Sequence, residues 1–310
     1  MSLVAATGDI VLKSVLIATD FSEASEKALR HALAIARHYG AKLSLFHVLS
    51  PQAFSLVGPD AVHAAAEAVG RDARRLEDGL VQSGALAGIS HEIIIRQGEV
   101  WEELEQAVEQ EPVDMIVLGT HGRRGLGRLL LGSVAETVFR QAECLVLTVG
   151  PCSLRDSPVG SARAIQPFLF ATDFSASSLH ALPYAISAAN HFGAKLVLLH
   201  VIPAVPMPPG VRKLSPEDVI QVREKLRLAS LQRLEELVRQ MPPLKLKAEF
   251  LVEFGPPTET ILQVAEHLQT DAIVLGLKRA AHIGTSSHMP WASAYEIVSG
   301  ACCAVLTVRN

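Results

Sequence analysis

The stretch IATDFSEASEKALRHALAIARHYGAKLSLFHV at residues 17–48 returns as FATDFSASSLHALPYAISAANHFGAKLVLLHV at residues 170–201. The segments ATDFS, GAKL and HV each recur 153 positions later (170 minus 17), so that His47 corresponds to His200. Similarity at a fixed displacement is typical of a repeated structural unit. We therefore interpret the chain as a tandem duplication of one domain.

Two further segments repeat with a growing displacement. VDMIVLG at 113–119 matches TDAIVLG at 270–276, which lies 157 positions later (270 minus 113). CLVLTV at 144–149 matches CAVLTV at 303–308, which lies 159 positions later (303 minus 144). The growth indicates small insertions in the second copy.

The stretch PCSLRDSPVGSARAIQ between the copies is rich in Pro, Ser and Gly, which is typical of a linker. We predict a first domain at residues 1–150, a linker at 151–166 and a second domain at 167–310. With 310 residues, the chain is long enough for two domains of about 150 residues, each with its own core.

Composition excludes several classes of protein. An apolar fraction of 49% with 19% charged residues excludes disorder, and no apolar run approaches the roughly 18 residues of a membrane span. The N-terminus lacks the pattern of a secretory signal, so a cytoplasmic location without a membrane partner is expected. A net charge of −4 and a pI near 6.3 give no electrostatic footprint for nucleic acid. No C-x-x-C spacing occurs, and we expect reduced thiols at Cys144, Cys152, Cys302 and Cys303.

Short apolar runs alternate with segments of helical periodicity in the first copy. The runs are KSVLIA, KLSLFHVL, HEIIIR, DMIVLG and CLVLTV. Continuously apolar, β-branched strands that alternate with helices indicate a parallel sheet covered on both faces. We predict an α/β fold with two tandem doubly wound five-stranded sheets, each Rossmann-like with strand order 3-2-1-4-5. Ser22 or Ser25 should cap the first helix, Gly40 should follow its last turn, and the second helix should run from about Pro59 to Leu80.

The predicted topology indicates where a ligand would bind. The chain reverses direction between strands 1 and 4, and ligands of such sheets bind beyond the carboxyl ends of the strands at that crevice. Two loops meet there in the first copy. They are Ala18-Thr19-Asp20 after strand 1 and GTHGRRGLGRLLLGS at residues 119–133 after strand 4.

The glycine-rich loop does not match two familiar phosphate motifs. Gly122-x4-Gly127 has Arg128 and Leu129 where a P-loop requires Lys and Ser or Thr. Gly125-x-Gly127 lacks the third glycine of the dinucleotide fingerprint and follows the fourth strand instead of the first. We reject both interpretations.

The spacing that remains is G-x2-G-x9-G-S, formed by Gly119, Gly122, Gly132 and Ser133 and followed by the amphipathic segment SVAETVFRQ. Glycines let a ligand approach the backbone closely, and a helix that begins at the serine offers unpaired N–H groups. Hydrogen bonds from N–H groups to a charged phosphate contribute roughly 1.5–3 kcal/mol each, compared with about 0.3–1 kcal/mol from the helix dipole. The spacing therefore favours a phosphate site.

With this motif and the repeat, the whole chain resembles a tandem universal stress protein. In that family G-x2-G-x9-G-S is the ATP-binding signature, so the resemblance implies ATP with a divalent metal, Mg²⁺, that bridges its phosphates. It places Asp20 at the adenine end, Val48 in the adenine pocket and Gly119 at the ribose. The phosphates would lie against Gly122, Gly132, Ser133 and Val134. The implied set also includes Ala18, where the family often has Pro, together with Thr19, His121, Arg123 and Ala135.

The second copy departs from the motif. Gly276 matches Gly119, but Arg279 stands at the second glycine, and Trp291-Ala292 replaces Gly132-Ser133. We expect this second site to be closed to ATP. Asp173 survives in the repeated ATDFS, which indicates that Asp20 also has a structural role, such as capping the first helix.

Catalytic machinery is not evident in the sequence. His47 and His200 each precede a valine near the end of strand 2 and are expected to be satisfied core or dimer residues. No Ser-His-Asp order, carboxylate pair or metal-ligand pattern accompanies the loops, so we assign no catalytic residue and no protein-bound metal.

Three functions stay open. The first is an ATP-binding stress or signalling protein with an unidentified protein partner. The second is a slow ATPase or phosphotransferase that uses the same site, and the third is an interaction protein for which nucleotide is irrelevant. The resemblance further implies that CLVLTV and CAVLTV pair as an intrachain pseudo-dimer, which would cover an edge strand. Homodimers of the chain are also left open.

Overall fold

The computed structural model describes residues 10–49, 59–120, 131–150, 166–203, 215–241, 243–245, 247–278 and 290–310. The chain divides into two compact units. One contains Val11–Arg163, and the other contains Ala164–Asn310 with Met1–Ile10.

Strands and helices alternate along the first unit. In order they are β1 (Ser14–Ala18), α1 (Glu23–Tyr39), β2 (Lys42–Leu49), α2 (Pro59–Gln82), β3 (His91–Gln97), α3 (Val100–Gln110), β4 (Met115–Gly119), α4 (Ser133–Gln141) and β5 (Leu145–Val149). Strand β1 pairs in parallel with β2 and with β4, while β2 pairs with β3 and β4 with β5. The order β3-β2-β1-β4-β5 is the doubly wound arrangement that right-handed crossovers favour.

The second unit repeats this pattern. Its elements are β6 (Phe168–Ala171), α5 (Ala176–Phe192), β7 (Leu196–Ile202), α6 (Pro216–Arg239), β8 (Glu249–Phe254), α7 (Pro257–His267), β9 (Ala272–Leu277), α8 (Pro290–Gly300) and β10 (Ala304–Arg309). All pairings are again parallel, in the order β8-β7-β6-β9-β10. The predicted fold class is confirmed, and the pairing of the two last strands stays a prediction.

The first helix of each unit begins and ends with the same devices. Ser22 is the N-cap of α1, and its side chain accepts a hydrogen bond from the N–H of Ser25 at 3.3 Å. Ser175 caps α5 in the same way. Gly40 and Gly193 close these helices in the left-handed conformation, each with φ of 64°. Of the two serines that the sequence offered as the cap, Ser22 therefore has that role.

An aspartate fixes the amino ends of the central strands. One carboxylate oxygen of Asp114 accepts hydrogen bonds from the N–H groups of Lys13 (2.6 Å) and Ser14 (3.1 Å). Asp271 likewise accepts from the N–H of Gln166 at 2.8 Å. Each aspartate lies just before the fourth strand of its unit, and its carboxylate binds the backbone at or just before the start of the first strand. The aspartate in VDMIVLG and TDAIVLG therefore serves the fold at the edge opposite to the candidate site.

The central strands supply the core. Val15, Leu16 and Ile17 of β1 and Ile116 and Val117 of β4 are each at most 1% exposed. A strand covered on both faces has no polar alternation, which explains the continuous apolar runs in the sequence. Within the described part of the chain, no helix has the length and apolar character needed to cross a membrane.

Candidate functional site

The carboxyl ends of three strands of the first unit lie side by side. Ala18, the last residue of β1, is in register with Phe46 of β2 and Leu118 of β4. The loop that follows Ala18 therefore begins next to Val48 and Gly119. The structure brings Ala18, Thr19, Asp20, Val48 and Gly119 to one edge of the sheet, where ligands of doubly wound folds bind.

The start of α4 lies at the same carboxyl edge of the sheet. The N–H of Gly132 donates to the carbonyl of Thr120 at 2.8 Å, and the N–H of Thr120 donates to the carbonyl of Val149 at 3.0 Å. Gly119 and Gly132, which are thirteen positions apart in the sequence, thereby become close neighbours in space. The first and last glycines of the motif meet beside β1, while His121, Gly122 and Arg123 lie outside the described residues.

Helix α4 presents an N-terminus without a side-chain cap. Gly132 is the N-cap, with φ of −59°, and Ser133 is the first helical residue, as the sequence predicts. Ser133 is exposed, Val134 is half-buried and Ala135 is buried. Because the first N–H groups of a helix have no intrahelical acceptor, a glycine cap leaves them to an outside acceptor. Such a helix start can bind an anion.

The ATDFS segment of the first unit forms a tight turn around a carboxylate. Oδ1 of Asp20 accepts a hydrogen bond from the N–H of Ser22 at 3.0 Å and another from the hydroxyl of Ser25. The N–H of Asp20 donates to the same hydroxyl at 3.2 Å. Asp20 is thus not itself the helix cap. Its carboxylate instead holds the capping residue, Ser22, in place.

The second unit builds an equivalent turn. Oδ1 of Asp173 accepts from the N–H of Ser175 at 2.9 Å, while the hydroxyls of Thr172 and Ser178 hydrogen bond at 2.9 Å. Burial raises the pKa of Asp173, but hydrogen bonds from Ser175 and Ser178 outweigh it, so the pKa lies below its usual value. The aspartate therefore has a structural role in both units, but it holds the serine that caps the helix and is not the cap that the sequence suggested.

A histidine joins each turn to the neighbouring strand. Nδ1 of His47 lies 2.7 Å from the carbonyl oxygen of Thr19, and Nδ1 of His200 lies 2.8 Å from that of Thr172. Both histidines are half-buried. They are satisfied residues, as expected, but they face the turn at the carboxyl edge.

Gly276 shows a packing requirement that the sequence did not reveal. A Cβ atom at this position would lie 2.0 Å from the carbonyl oxygen of Ser177 and 2.6 Å from the Cα of Ser178. Strand β9 thus packs directly on the backbone of the first turn of α5. Its counterpart Gly119 ends β4, on which α1 packs. Helix packing explains the glycine at position 276, so its presence in both copies is not by itself evidence of a ribose contact.

The two units differ at the start of the helix after the fourth strand. Helix α4 begins at Ser133 behind a glycine cap, whereas α8 begins at Pro290, so that Trp291 and Ala292 belong to its first turn. Position 292 is the counterpart of 133, and α8 therefore starts two residues earlier than the repeat predicts. Arg279 lies outside the described residues.

Arginines cover part of the equivalent edge in the second unit. The guanidinium carbon of Arg233 lies 4.2 Å from the ring centroid of Phe174, and that of Arg223 lies 4.3 Å from the ring centroid of Phe254. Both arginines belong to α6, whose counterpart α2 has Leu76 and Ala66 at the corresponding positions. Within the described ranges, no group of three His, Cys, Asp or Glu side chains could hold a metal ion.

These features define a class: a tandem α/β protein with two doubly wound parallel sheets and a candidate ligand site at the crevice of the first. The model of the universal stress protein family matches residues 12–150 and again residues 164–309. The chain therefore belongs to the universal stress protein family and contains two of its domains.

Two relatives each match one domain's length of the chain, and one solved structure matches nearly all of it. Universal stress protein MJ0531 of Methanocaldococcus jannaschii is 30% identical over 143 residues, which cover 46% of this chain and 84% of the relative. A universal stress protein of Thermus aquaticus is 34% identical over 140 residues, which cover 45% and 99%. The crystal structure of a universal stress protein from Archaeoglobus fulgidus covers 96% of this chain and 98% of its own, with a TM-score of 0.61 and 21% identity. This last likeness supports the two-domain fold.

Proposed function

We propose that the first unit binds ATP at the carboxyl edge of β1 and β4 and that the protein serves in a stress response or in signalling. The observation that carries the proposal is the hydrogen bond from Gly132 to Thr120, because it sets the uncapped start of α4 at the carboxyl edge of the sheet, where the Asp20 turn also lies. A phosphate chain at α4 would then have its nucleoside directed towards β1 and β2. The intact G-x2-G-x9-G-S motif supports this assignment.

The chemistry of each residue in the proposed site indicates which part of the nucleotide it would contact. The N–H groups of Ser133, Val134 and Ala135 and the Ser133 hydroxyl would donate to phosphate oxygens. Ala18, Thr19, Asp20 and Val48 would surround the base, and Gly119 would lie at the sugar. Gly122, His121 and Arg123 complete the proposed set. Mg²⁺ would be held mainly by the phosphates, since such ions keep several waters and few protein ligands.

The start of α4 offers the sharpest test. Gly132→Trp places in the first unit the side chain that the second unit carries at the equivalent position, Trp291. We expect wild-type protein to release close to one nucleotide per chain on denaturation and to bind ATP with Mg²⁺ in calorimetry. Gly132→Trp should lose this binding because a bulky side chain stands where the phosphates would lie.

A conservative change one turn further along α4 is the control. Thr137→Ser keeps the hydroxyl that donates to the carbonyl of Ser133 at 2.9 Å and should leave ATP binding unchanged. A wild-type protein that carries no nucleotide and binds none would refute the proposal. So would a Gly132→Trp variant that binds ATP as well as the wild type.

A further inference from the structure

The turn that contains Asp20 is held in a backbone conformation that its sequence disfavours. Phe21 has φ of 58° and Phe174, its counterpart, has φ of 62°. This left-handed region costs free energy for any residue with a Cβ atom, and bulky residues are rare there. Since the same conformation recurs in both units, contacts around the turn must maintain it.

Hydrogen bonds within the turn account for part of this restraint. The hydroxyl of Thr19 accepts from the N–H of Phe21 at 3.0 Å, and Asp20 accepts from the N–H of Ser22 at 3.0 Å. These bonds shape the turn but do not attach it to the sheet. One backbone bond does so on the amino side, from the N–H of Thr19 to the carbonyl of Phe46 at 2.9 Å.

His47 supplies the attachment on the carboxyl side. A carbonyl oxygen can only accept, so Nδ1 of His47 must carry the hydrogen in its 2.7 Å contact with Thr19. The imidazole ring also lies against the ring of Phe21, with centroids 4.9 Å apart. His47 therefore holds the peptide group between Thr19 and Asp20 and the strained residue that follows Asp20.

We propose that His47 is a positioning residue of the nucleotide site, which fixes the Thr19–Asp20 peptide through its Nδ1–H and so holds the Asp20 turn in its binding orientation. The inference rests on the proposed ATP site. His47 acts through the turn and makes no contact with the nucleotide. Its contribution is the stiffness of one wall of the site, since a wall held in the binding conformation in advance lowers the cost of ordering on binding.

The second unit contains a natural control. His200 repeats both contacts, with Nδ1 2.8 Å from the carbonyl oxygen of Thr172 and ring centroids 4.4 Å from Phe174. The second unit lacks the glycine-capped helix start. A purely structural role would therefore give His47 and His200 variants the same consequences, whereas a positioning role separates them in ATP binding.

The experiment uses the full chain and compares His47→Phe, His47→Asn and His47→Gln with the same three changes at His200. Phe keeps the ring contact and removes the donor. Asn places an amide N–H near the position of Nδ1, while Gln places it nearer Nε2. ATP affinity with Mg²⁺ is measured by calorimetry, and the melting temperature of each variant is measured alongside.

We expect His47→Phe to weaken ATP binding about tenfold, which corresponds to the loss of one hydrogen bond. His47→Asn should recover most of the affinity, and His47→Gln should resemble His47→Phe. The His200 variants should bind ATP as the wild type does, even where their melting temperatures fall equally. If His47→Phe does not fold, the difference between the Asn and Gln variants carries the test.

Three results would overturn the inference while leaving the ATP site intact. They are an unchanged affinity in His47→Phe, equal weakening in the His47 and His200 variants, and equal affinity in His47→Asn and His47→Gln. A wild-type chain that binds no ATP would overturn the proposed function and this inference together.

Discussion

The two units use the same turn after the first strand but different starts for the helix after the fourth. Asp20 and Asp173 hold equivalent turns, and His47 and His200 hold them to the sheet. By contrast, the glycine cap before α4 has no counterpart before α8, which begins at Pro290. A feature kept in both copies serves the fold whatever else it does, whereas a feature present in only one copy is the stronger candidate for function.

The difference between the units weakens the evidence that two residues bind ATP. Gly119 and Asp20 were both assigned to ATP through the family resemblance, yet their counterparts Gly276 and Asp173 have clear structural roles. The start of α4 is then the stronger evidence for a nucleotide. Experiments on paired positions can test this division.

The largest effect is expected at the glycines near the carboxyl ends of the fourth strands, Gly119 and Gly276. Gly276→Ala should destabilise the second unit by about 3 kcal/mol or more, because its Cβ would overlap the backbone of Ser177 and no rotamer change can relieve that overlap. Gly119→Ala should destabilise the first unit by a similar amount. The chain has two tryptophans, Trp101 in the first unit and Trp291 in the second, so urea unfolding can be followed in each unit separately after the other is changed to Phe.

The control for this prediction is Gly79→Ala, since a Cβ atom there meets nothing within 4 Å. It should leave unfolding of the first unit nearly unchanged or slightly improved. If Gly119→Ala abolished ATP binding and kept full stability, Gly119 would be a ligand residue and not a packing residue, and the division between the units would be wrong.

The cysteines before the last strands should differ in reactivity. Cys303 is buried, and burial raises its pKa to about 11, whereas its counterpart Cys144 is half-exposed. At pH 8 the thiolate of Cys303 should be roughly two hundredfold scarcer than that of a thiol with the usual pKa of about 8.5. Alkylation followed by mass spectrometry, in a Cys302→Ser background, should label Cys144 well before Cys303. Equal labelling rates would contradict the burial.

The helix caps should contribute equally in the two units. Ser22→Ala and Ser175→Ala each remove a side-chain acceptor from a helix N-terminus, which typically costs about 1 kcal/mol. Ser22→Gly and Ser175→Gly are the matched controls, since glycine at an N-cap costs only a few tenths of a kcal/mol. Urea midpoints measured with the separate tryptophan reporters would show whether one unit is affected more than the other.

The smallest effect concerns acid stability of the second unit. The folded-state pKa of Asp173 is lowered, so its contribution to stability is present above the unfolded-state pKa of about 3.9 and is lost as pH falls through the lower folded value. Asp173→Asn should reduce the dependence of stability on pH between about 5 and 2. Asp271→Asn is the comparison, since Asp271 also accepts a hydrogen bond from a backbone N–H but lies at the opposite edge of the sheet. A pH profile unchanged by Asp173→Asn would show that the charge of Asp173 is not coupled to folding.

Much of the fold could be predicted because it depends on repeated local patterns. Buried parallel strands require continuous apolar runs, and helix ends require caps, so Gly40 and the start of α4 at Ser133 could be inferred from residue type and position. The choice between Ser22 and Ser25 could not be made, since both can cap a helix. The structure gives Ser22 the cap and Ser25 a bond to Asp20.

The candidate site was predictable only in part. Its location followed from topology, and the motif indicated which residues would lie there. The hydrogen bond from Gly132 to Thr120 was not predictable, because it joins residues separated by a loop with no periodic pattern. The contact of His47 with Thr19 was missed for a similar reason, although its recurrence as His200 was visible and the nearby repeated ATDF was a signal for it.

The sequence by itself determined the duplication, the order of strands and helices, and the loss of the G-x2-G-x9-G-S motif in the second copy. These properties depend on spacing and residue type, because local conformational preferences and helix caps act between residues that are close in the sequence. Only the tertiary structure decided that Gly276 is a packing glycine, that Asp20 holds a helix cap, and that His47 secures the turn around it. Those roles depend on backbone distances of a few ångströms between distant segments, and such distances exist only once the sheet and helices have packed.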